Sequence, residues 1–162
     1  MNYHNITVDD MLNGAGLRAV LWVSGCDHRC PGCQNPQTWP ACSGIAFDEA
    51  AKAELFSYLE RDYIDGITFS GGDPLFAPNR ETIGTLITEI RKRFPAKTIW
   101  LYTGSLFEDI RCLPFIPMID VIVDGPYIER LRDVQLHWKG SKNQRVIDVR
   151  KTLERGTIVL WD

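Results

Sequence analysis

The stretch Leu17-Arg-Ala-Val-Leu-Trp-Val-Ser-Gly-Cys-Asp-His-Arg-Cys-Pro-Gly-Cys33 decides how this chain is read. Its first half, Leu17 to Ser24, is a largely apolar run of strand length, rich in residues that suit a pleated surface. Its second half sets Cys26, Cys30 and Cys33 in a C-x3-C-x2-C spacing on the loop that leaves the strand. Loops that follow buried strands are where α/β sheets and barrels place their ligands.

The same punctuation recurs downstream. Asp48 reads as an N-cap, followed by Ala51, Leu55, Tyr58 and Leu59 at helical spacing through Arg61. Gly66-Ile-Thr-Phe-Ser70 reads as a short buried strand. Asn79 reads as the cap of a second helix with the apolar face Ile83, Leu86, Ile87 and Ile90, ending near Phe94-Pro95. Thr98-Ile-Trp-Leu-Tyr102 and Ile119-Asp-Val-Ile-Val123 are further strands, with a short helix around Leu106 to Leu113 between them. Strands alternating with helices, and near-continuously apolar, predict a parallel sheet covered by helices.

Beyond Pro126 the pattern weakens. Leu136-His-Trp138, Arg145-Val-Ile147 and Thr157-Ile-Val-Leu-Trp161 fit short strands or an irregular tail, and Lys139, Lys142 and Arg145 read as solvated charge. An unusual loop follows each predicted strand. They are the cysteine loop, Gly71-Gly72-Asp73-Pro74, Thr103-Gly104 and Asp124-Gly125-Pro126. Four loops at one sheet edge predict a single active site.

Composition narrows the function. A length of 162 residues fits one domain, expected to span 1–162. A chain of that size builds a core without disulfides or a structural metal, so cysteine is not needed as a staple. The net charge of -3 gives no basic footprint for nucleic acid. No apolar run approaches the ~20 residues that cross a bilayer. Met1-Asn2-Tyr3-His4-Asn5 has neither a basic segment nor an apolar one, so no secretory signal is visible and a cytoplasmic location is expected. In that reducing setting five cysteines, three of them clustered, read as metal-binding or catalytic.

Three thiolates on one loop suit an iron–sulfur cluster. A cubane normally takes four, so three leave one iron open to a small-molecule ligand. Zinc held by the three thiolates with His28, Cys42 or Cys112 is an alternative, though zinc ligands usually come as two separated pairs. Cys42 completing an electron-transfer cluster is another. Taken singly, Cys42 and Cys112 read as inert small hydrophobes. His28 reads as a surface residue of the loop. No paired carboxylates, Ser-His-Asp set or P-loop points to another mechanism.

These residues carry a resemblance. Cys26, Cys30 and Cys33, followed after the next strand by Gly71-Gly72-Asp73-Pro74, resemble the radical S-adenosylmethionine enzymes. More narrowly, the chain is similar to activating proteins of the anaerobic ribonucleoside-triphosphate reductase. That narrower match rests on Met1-Asn2-Tyr3, Asn13-Gly14-Ala15-Gly16 with Arg18, Val23 to Cys26, and Ser70 to Leu75. Trp100 to Gly104, Val123 to Gly125 and Trp138-Lys-Gly-Ser-Lys-Asn-Gln-Arg145 complete it. Gln34 stands where relatives commonly carry Tyr, and Ala15 where Pro is usual.

The resemblance implies one [4Fe-4S] cluster on Cys26, Cys30 and Cys33, with the open iron chelating the amino and carboxylate groups of S-adenosyl-L-methionine. One electron cleaves the sulfonium to methionine and a 5′-deoxyadenosyl radical, which takes a hydrogen atom from a glycine of the reductase's large subunit. No catalytic side chain is implied beyond the cluster and S-adenosylmethionine. Gly32, Cys33 and Gln34 match the stretch along S-adenosylmethionine, and Gly71, Gly72 and Asp73 the loop at its methionine end. Glycines there let backbone carbonyls approach an ammonium group closely. An external electron donor such as a flavodoxin is expected. A chain well short of the ~250 residues of an eight-unit barrel is expected to form a partial parallel β/α barrel, open on one side.

Overall fold

The computed structural model describes residues 1–161. The strand before the cysteine loop, β2 (Arg18–Val23), is buried on both faces, as a central parallel strand requires. It belongs to a sheet with β1 (Asn2–Asp10), β3 (Ile45–Ala46), β4 (Gly66–Gly71), β5 (Thr98–Tyr102), β6 (Val121–Asp124) and β7 (Arg145–Asp148). The helices are α1 (Glu49–Leu59), α2 (Arg80–Arg93), α3 (Phe107–Ile110) and α4 (Val149–Arg155).

The strand order is β3-β1-β2-β4-β5-β6-β7, so β3 and β7 are the sheet's two ends and the sheet is not closed. Strands β2, β4, β5 and β6 are parallel neighbours, with Arg18 opposite Gly66 and Val23 opposite Gly71. The flanks correct the expectation of an all-parallel sheet. β1 pairs antiparallel with both β2 and β3, and β7 antiparallel with β6. The 145–147 segment is thus a true strand, whereas 136–138 is not, and Leu160 makes only an isolated bridge to Ile147.

Alternate residues of the strands feed two layers. Ala19, Leu21, Ile67, Phe69, Ile99 and Leu101 share the main core with Leu55 and Leu59 of α1 and the Ile83, Leu86, Ile87, Ile90 face of α2. The opposite face is covered by loops and tail rather than helices. There Trp100, Val121, Val123 and Val146 pack with Ala15, Trp138 and Trp161. Trp100 meets Trp138 and Trp161 edge-on, at centroid distances of 5.2 and 5.7 Å.

Fully buried Arg18 anchors the lower end of this second face. Its guanidinium donates five hydrogen bonds, all to uncharged acceptors: Thr68 Oγ1, Ala15 O, Thr98 Oγ1, Ile67 O and Thr98 O. Burial pulls its pKa down to about 10. The five acceptors match the five N–H donors of the fork, so the charge is solvated by the protein itself.

The two predicted caps part ways. Asp48 caps α1, its carboxylate accepting from Ala51 N at 2.9 Å. Asn79 does not cap α2. Its buried amide donates instead to Ser24 O at 2.8 Å and Asp73 O at 3.3 Å, tying the start of the helix to two site loops.

Candidate functional site

The loops after β2 and β4 meet through their backbones. Gly72 N donates to Val23 O and Asp73 N to Gly25 O, both at 2.8 Å. A Cβ on Gly72 would lie 2.5 Å from Gly25 O, and one on Gly71, whose φ is +103°, would lie 2.7 Å from Val23 N and O. The absent side chains therefore serve the contact with the cysteine loop itself. The sequence expectation that these glycines make room for a ligand's ammonium group leaves out this first use.

Asp73 is the junction of the site. Its buried carboxylate accepts from Leu75 N at 2.8 Å, Thr103 Oγ1 at 2.9 Å and Gly104 N at 3.2 Å. His28 Nε2 lies 2.8 Å from Asp73 Oδ2. One carboxylate thus binds the loops after β2, β4 and β5. His28 is correspondingly turned inward, not onto the surface of the cysteine loop, because a buried carboxylate needs a polar partner. The Asp73 hydrogen bond pushes the His28 pKa up, against an opposing effect of burial.

Cys26, Cys30 and Cys33 are partly buried free thiols. The loop folds on itself, with Cys33 N donating to Cys30 O at 3.1 Å and Arg29 held at a φ of 45° between the first two thiols. A non-glycine residue adopts that left-handed region only where its surroundings hold it there. A strap from Asn35 to Trp39 braces the loop from outside. Gly25 N donates to Thr38 O at 2.7 Å, Cys26 N to Trp39 O at 3.0 Å, and Asn35 N to Cys33 Sγ at 3.4 Å. Burial pushes the Cys26 thiol up, while backbone N–H groups of His28 and Arg29 favour its thiolate.

All three thiols line one cavity of about 450 Å³, as do Gln34, Gly71, Gly72 and Gly104. That volume falls within the range of small-molecule sites. Gly32 is exposed beside Cys33 and Glu129, outside the cavity lining, and the Asp73 side chain faces its loop partners. Cys42 and Cys112 are exposed and lie outside the cavity lining.

Sequence reasoning missed the far wall. Tyr127, Trp138, Lys139, Gly140 and Gln144 line the same cavity. Lys139 Nζ donates to Gln144 O at 3.0 Å, and Gln144 Oε1 accepts from the N–H groups of Gly140 and Ser141. Arg145 binds Asp124 and Glu108. Lys139 and Arg145 thus belong to an ordered wall, whereas Lys142 is solvated as expected, and the Trp-Lys-Gly-Ser run was the available signal.

The donor set fits an iron–sulfur cluster. Cys26, Cys30 and Cys33 are free thiols on one loop around one cavity, and a cluster receives each thiolate at a separate iron. The comparisons agree. The family described as a 4Fe-4S single cluster domain matches residues 12–147. A protein of Enterobacteria phage T4 is 48% identical over 146 residues, covering 90% of this chain and 93% of its own length. A protein of Escherichia coli K12 is 40% identical over 154 residues, covering 93% and 100%. One of Haemophilus influenzae is 37% identical over 148 residues, covering 89% and 96%. All three are named anaerobic ribonucleoside-triphosphate reductase-activating protein. At that identity and coverage, with the cysteine loop inside the matched span, the chain belongs to the family of anaerobic ribonucleoside-triphosphate reductase-activating proteins.

Proposed function

We propose that this chain is a radical S-adenosylmethionine enzyme that activates an anaerobic ribonucleoside-triphosphate reductase by generating a glycyl radical on it. The observation that carries the reading is the convergence of Cys26, Cys30 and Cys33 with the loops after β4 and β5 on one cavity, at the carboxyl edge of the parallel strands. The three thiolates would hold one [4Fe-4S] cluster, with the fourth iron left for the amino and carboxylate groups of S-adenosyl-L-methionine. With both bound, a single electron passed to the sulfonium releases methionine and a 5′-deoxyadenosyl radical able to take hydrogen from a reductase glycine.

The chain's own residues bind, orient and exclude water. Cys33 and Gln34 run along one side of the S-adenosylmethionine site, with Gly32 shaping the loop just before them from outside the cavity, and Gly71 and Gly72 lie along its methionine end. Asp73 contributes by fixing those loops, since its carboxylate is already engaged. Trp22, Tyr102 and Trp138 supply aromatic wall to the cavity, which keeps a reactive radical from water.

Residues 1–162 form a single domain, and the open sheet acts as an incomplete β/α barrel. Its missing side is the route by which another protein's glycine reaches the cavity. The electron comes from an external donor such as a flavodoxin, because the two cysteines left over, Cys42 and Cys112, are too few to hold a second cluster. Among the described residues no helix is long and apolar enough to cross a membrane, and free thiols suit a cytoplasmic setting.

The test is anaerobic reconstitution. Reduced protein with S-adenosylmethionine is expected to yield 5′-deoxyadenosine, and added reductase large subunit to give a glycyl-radical EPR signal. Cys30→Ala is expected to give neither. Protein that carries zinc without sulfide would overturn the reading.

A further inference from the structure

Among the described residues, two buried side-chain polar atoms have no hydrogen-bond partner: Asn143 Oδ1 and Trp39 Nε1. An unpaired buried donor costs free energy, so its persistence calls for an explanation. Trp39 is distinguished by its surroundings. Trp39 is one of the residues that line the cavity shared by the three thiols. Its carbonyl accepts from the backbone of Cys26 at 3.0 Å, beside the Thr38–Gly25 bond of 2.7 Å, so the strap fixes Trp39 against the first thiol-bearing residue. Trp22, at the end of β2, also lines this cavity, but its Nε1 is committed to Thr7 Oγ1 at 3.0 Å. Of these two indole N–H groups, that of Trp22 is engaged by the protein and that of Trp39 is left over.

An indole N–H donates and cannot accept, so only an acceptor satisfies it. The acceptors that the cysteine loop gathers are sulfurs. We propose that Trp39 Nε1–H donates a hydrogen bond to a sulfur of the group held by Cys26, Cys30 and Cys33, thiolate or inorganic sulfide, and thereby raises its reduction potential. This inference rests on the cluster reading above. The physical reason for the direction is charge: reduction adds an electron to sulfur-rich surroundings, and a donor stabilises the more negative state.

The experiment compares wild type with Trp39→Phe and Trp22→Phe, each reconstituted anaerobically and titrated for midpoint potential without S-adenosylmethionine. Trp39→Phe is expected to shift the oxidised-to-reduced ratio at fixed potential by roughly tenfold towards oxidised, a fall of about 59 mV for a one-electron couple. Trp22→Phe is expected to shift it by less than about twofold. Wild type labelled with 15N-tryptophan gives a second readout that needs no variant to fold: the reduced cluster is expected to show a hyperfine coupling to indole nitrogen in pulsed EPR. An unchanged potential in Trp39→Phe, or no nitrogen coupling in labelled wild type, overturns the proposal. Weakened S-adenosylmethionine binding with the potential unchanged also overturns it, by assigning the donor to the cosubstrate. Wild type that assembles no iron–sulfur cluster would fail the reading beneath it, which is a distinguishable result.

Discussion

Asp73 and His28 face one another at 2.8 Å across two loops that are 45 residues apart in sequence. The carboxylate belongs to the loop after β4 and the imidazole to the cysteine loop, between Cys26 and Cys30. Their contact makes the cysteine loop's position depend on a residue that needs no contact with any ligand.

Asp73→Ala removes the acceptor for Leu75, Thr103 and Gly104 and leaves buried donors unpaired. The expected loss is about 2–4 kcal/mol of unfolding free energy for the metal-free protein. Urea unfolding measures it. A variant that keeps full stability yet binds S-adenosylmethionine poorly by calorimetry would show that Asp73 acts on the ligand directly instead.

Gly72→Ala places a methyl group 2.5 Å from Gly25 O, one residue before Cys26. The backbone must move, at about 1–3 kcal/mol. The expected signature is reduced iron and sulfide content per chain at unchanged secondary structure by circular dichroism.

Arg18→Lys keeps the charge but replaces a five-donor fork with a three-donor ammonium. Buried acceptors at Thr68, Thr98 and Ile67 lose partners, so about 2–4 kcal/mol of stability is expected to go. Thermal and urea denaturation would register this. A loss below about 0.5 kcal/mol would mean that the fork is not what holds this end of the sheet.

Glu108 tests the acid side. Its hydrogen bond with Arg145 holds its pKa below the ordinary 4.5. A carboxylate depressed in the folded state contributes stability above its unfolded pKa and loses it as pH falls through the folded value. Glu108 is half exposed, so screening keeps the contribution under about 1 kcal/mol. Glu108→Gln is therefore expected to narrow the stability difference between pH 7 and pH 3 by that small amount, read from urea midpoints at the two pH values.

The parallel centre of the sheet was legible because β2, β4, β5 and β6 are apolar runs, each punctuated by glycine or aspartate. The cysteine loop was legible from spacing. The flanks were not. In β1 only Tyr3, Ile6 and Val8 are apolar among nine residues, and two register shifts break the alternation a strand should show. The strand forms because tertiary pairing with β2 supplies what local pattern lacks. Asn79 misled for a related reason: its local position says cap, but Ser24 O and Asp73 O, distant in sequence, compete for the same amide. The wall from Trp138 to Gln144 was hidden because its order comes from Gln144 and Lys139 bonding across a loop, which leaves no periodicity to read.

The strap from Asn35 to Trp39 separates the shape of the cysteine loop from the thiols it carries. It fastens the cysteine loop through backbone bonds, while the main core of β-strands and helices is built without any of the three thiols. The conformational entropy of the loop is opposed by these backbone bonds and not by the side chains of the thiols. A chain in which Cys26, Cys30 and Cys33 are all replaced by Ala is therefore expected to keep the circular dichroism spectrum and urea midpoint of the parent, because nothing in the main core is removed.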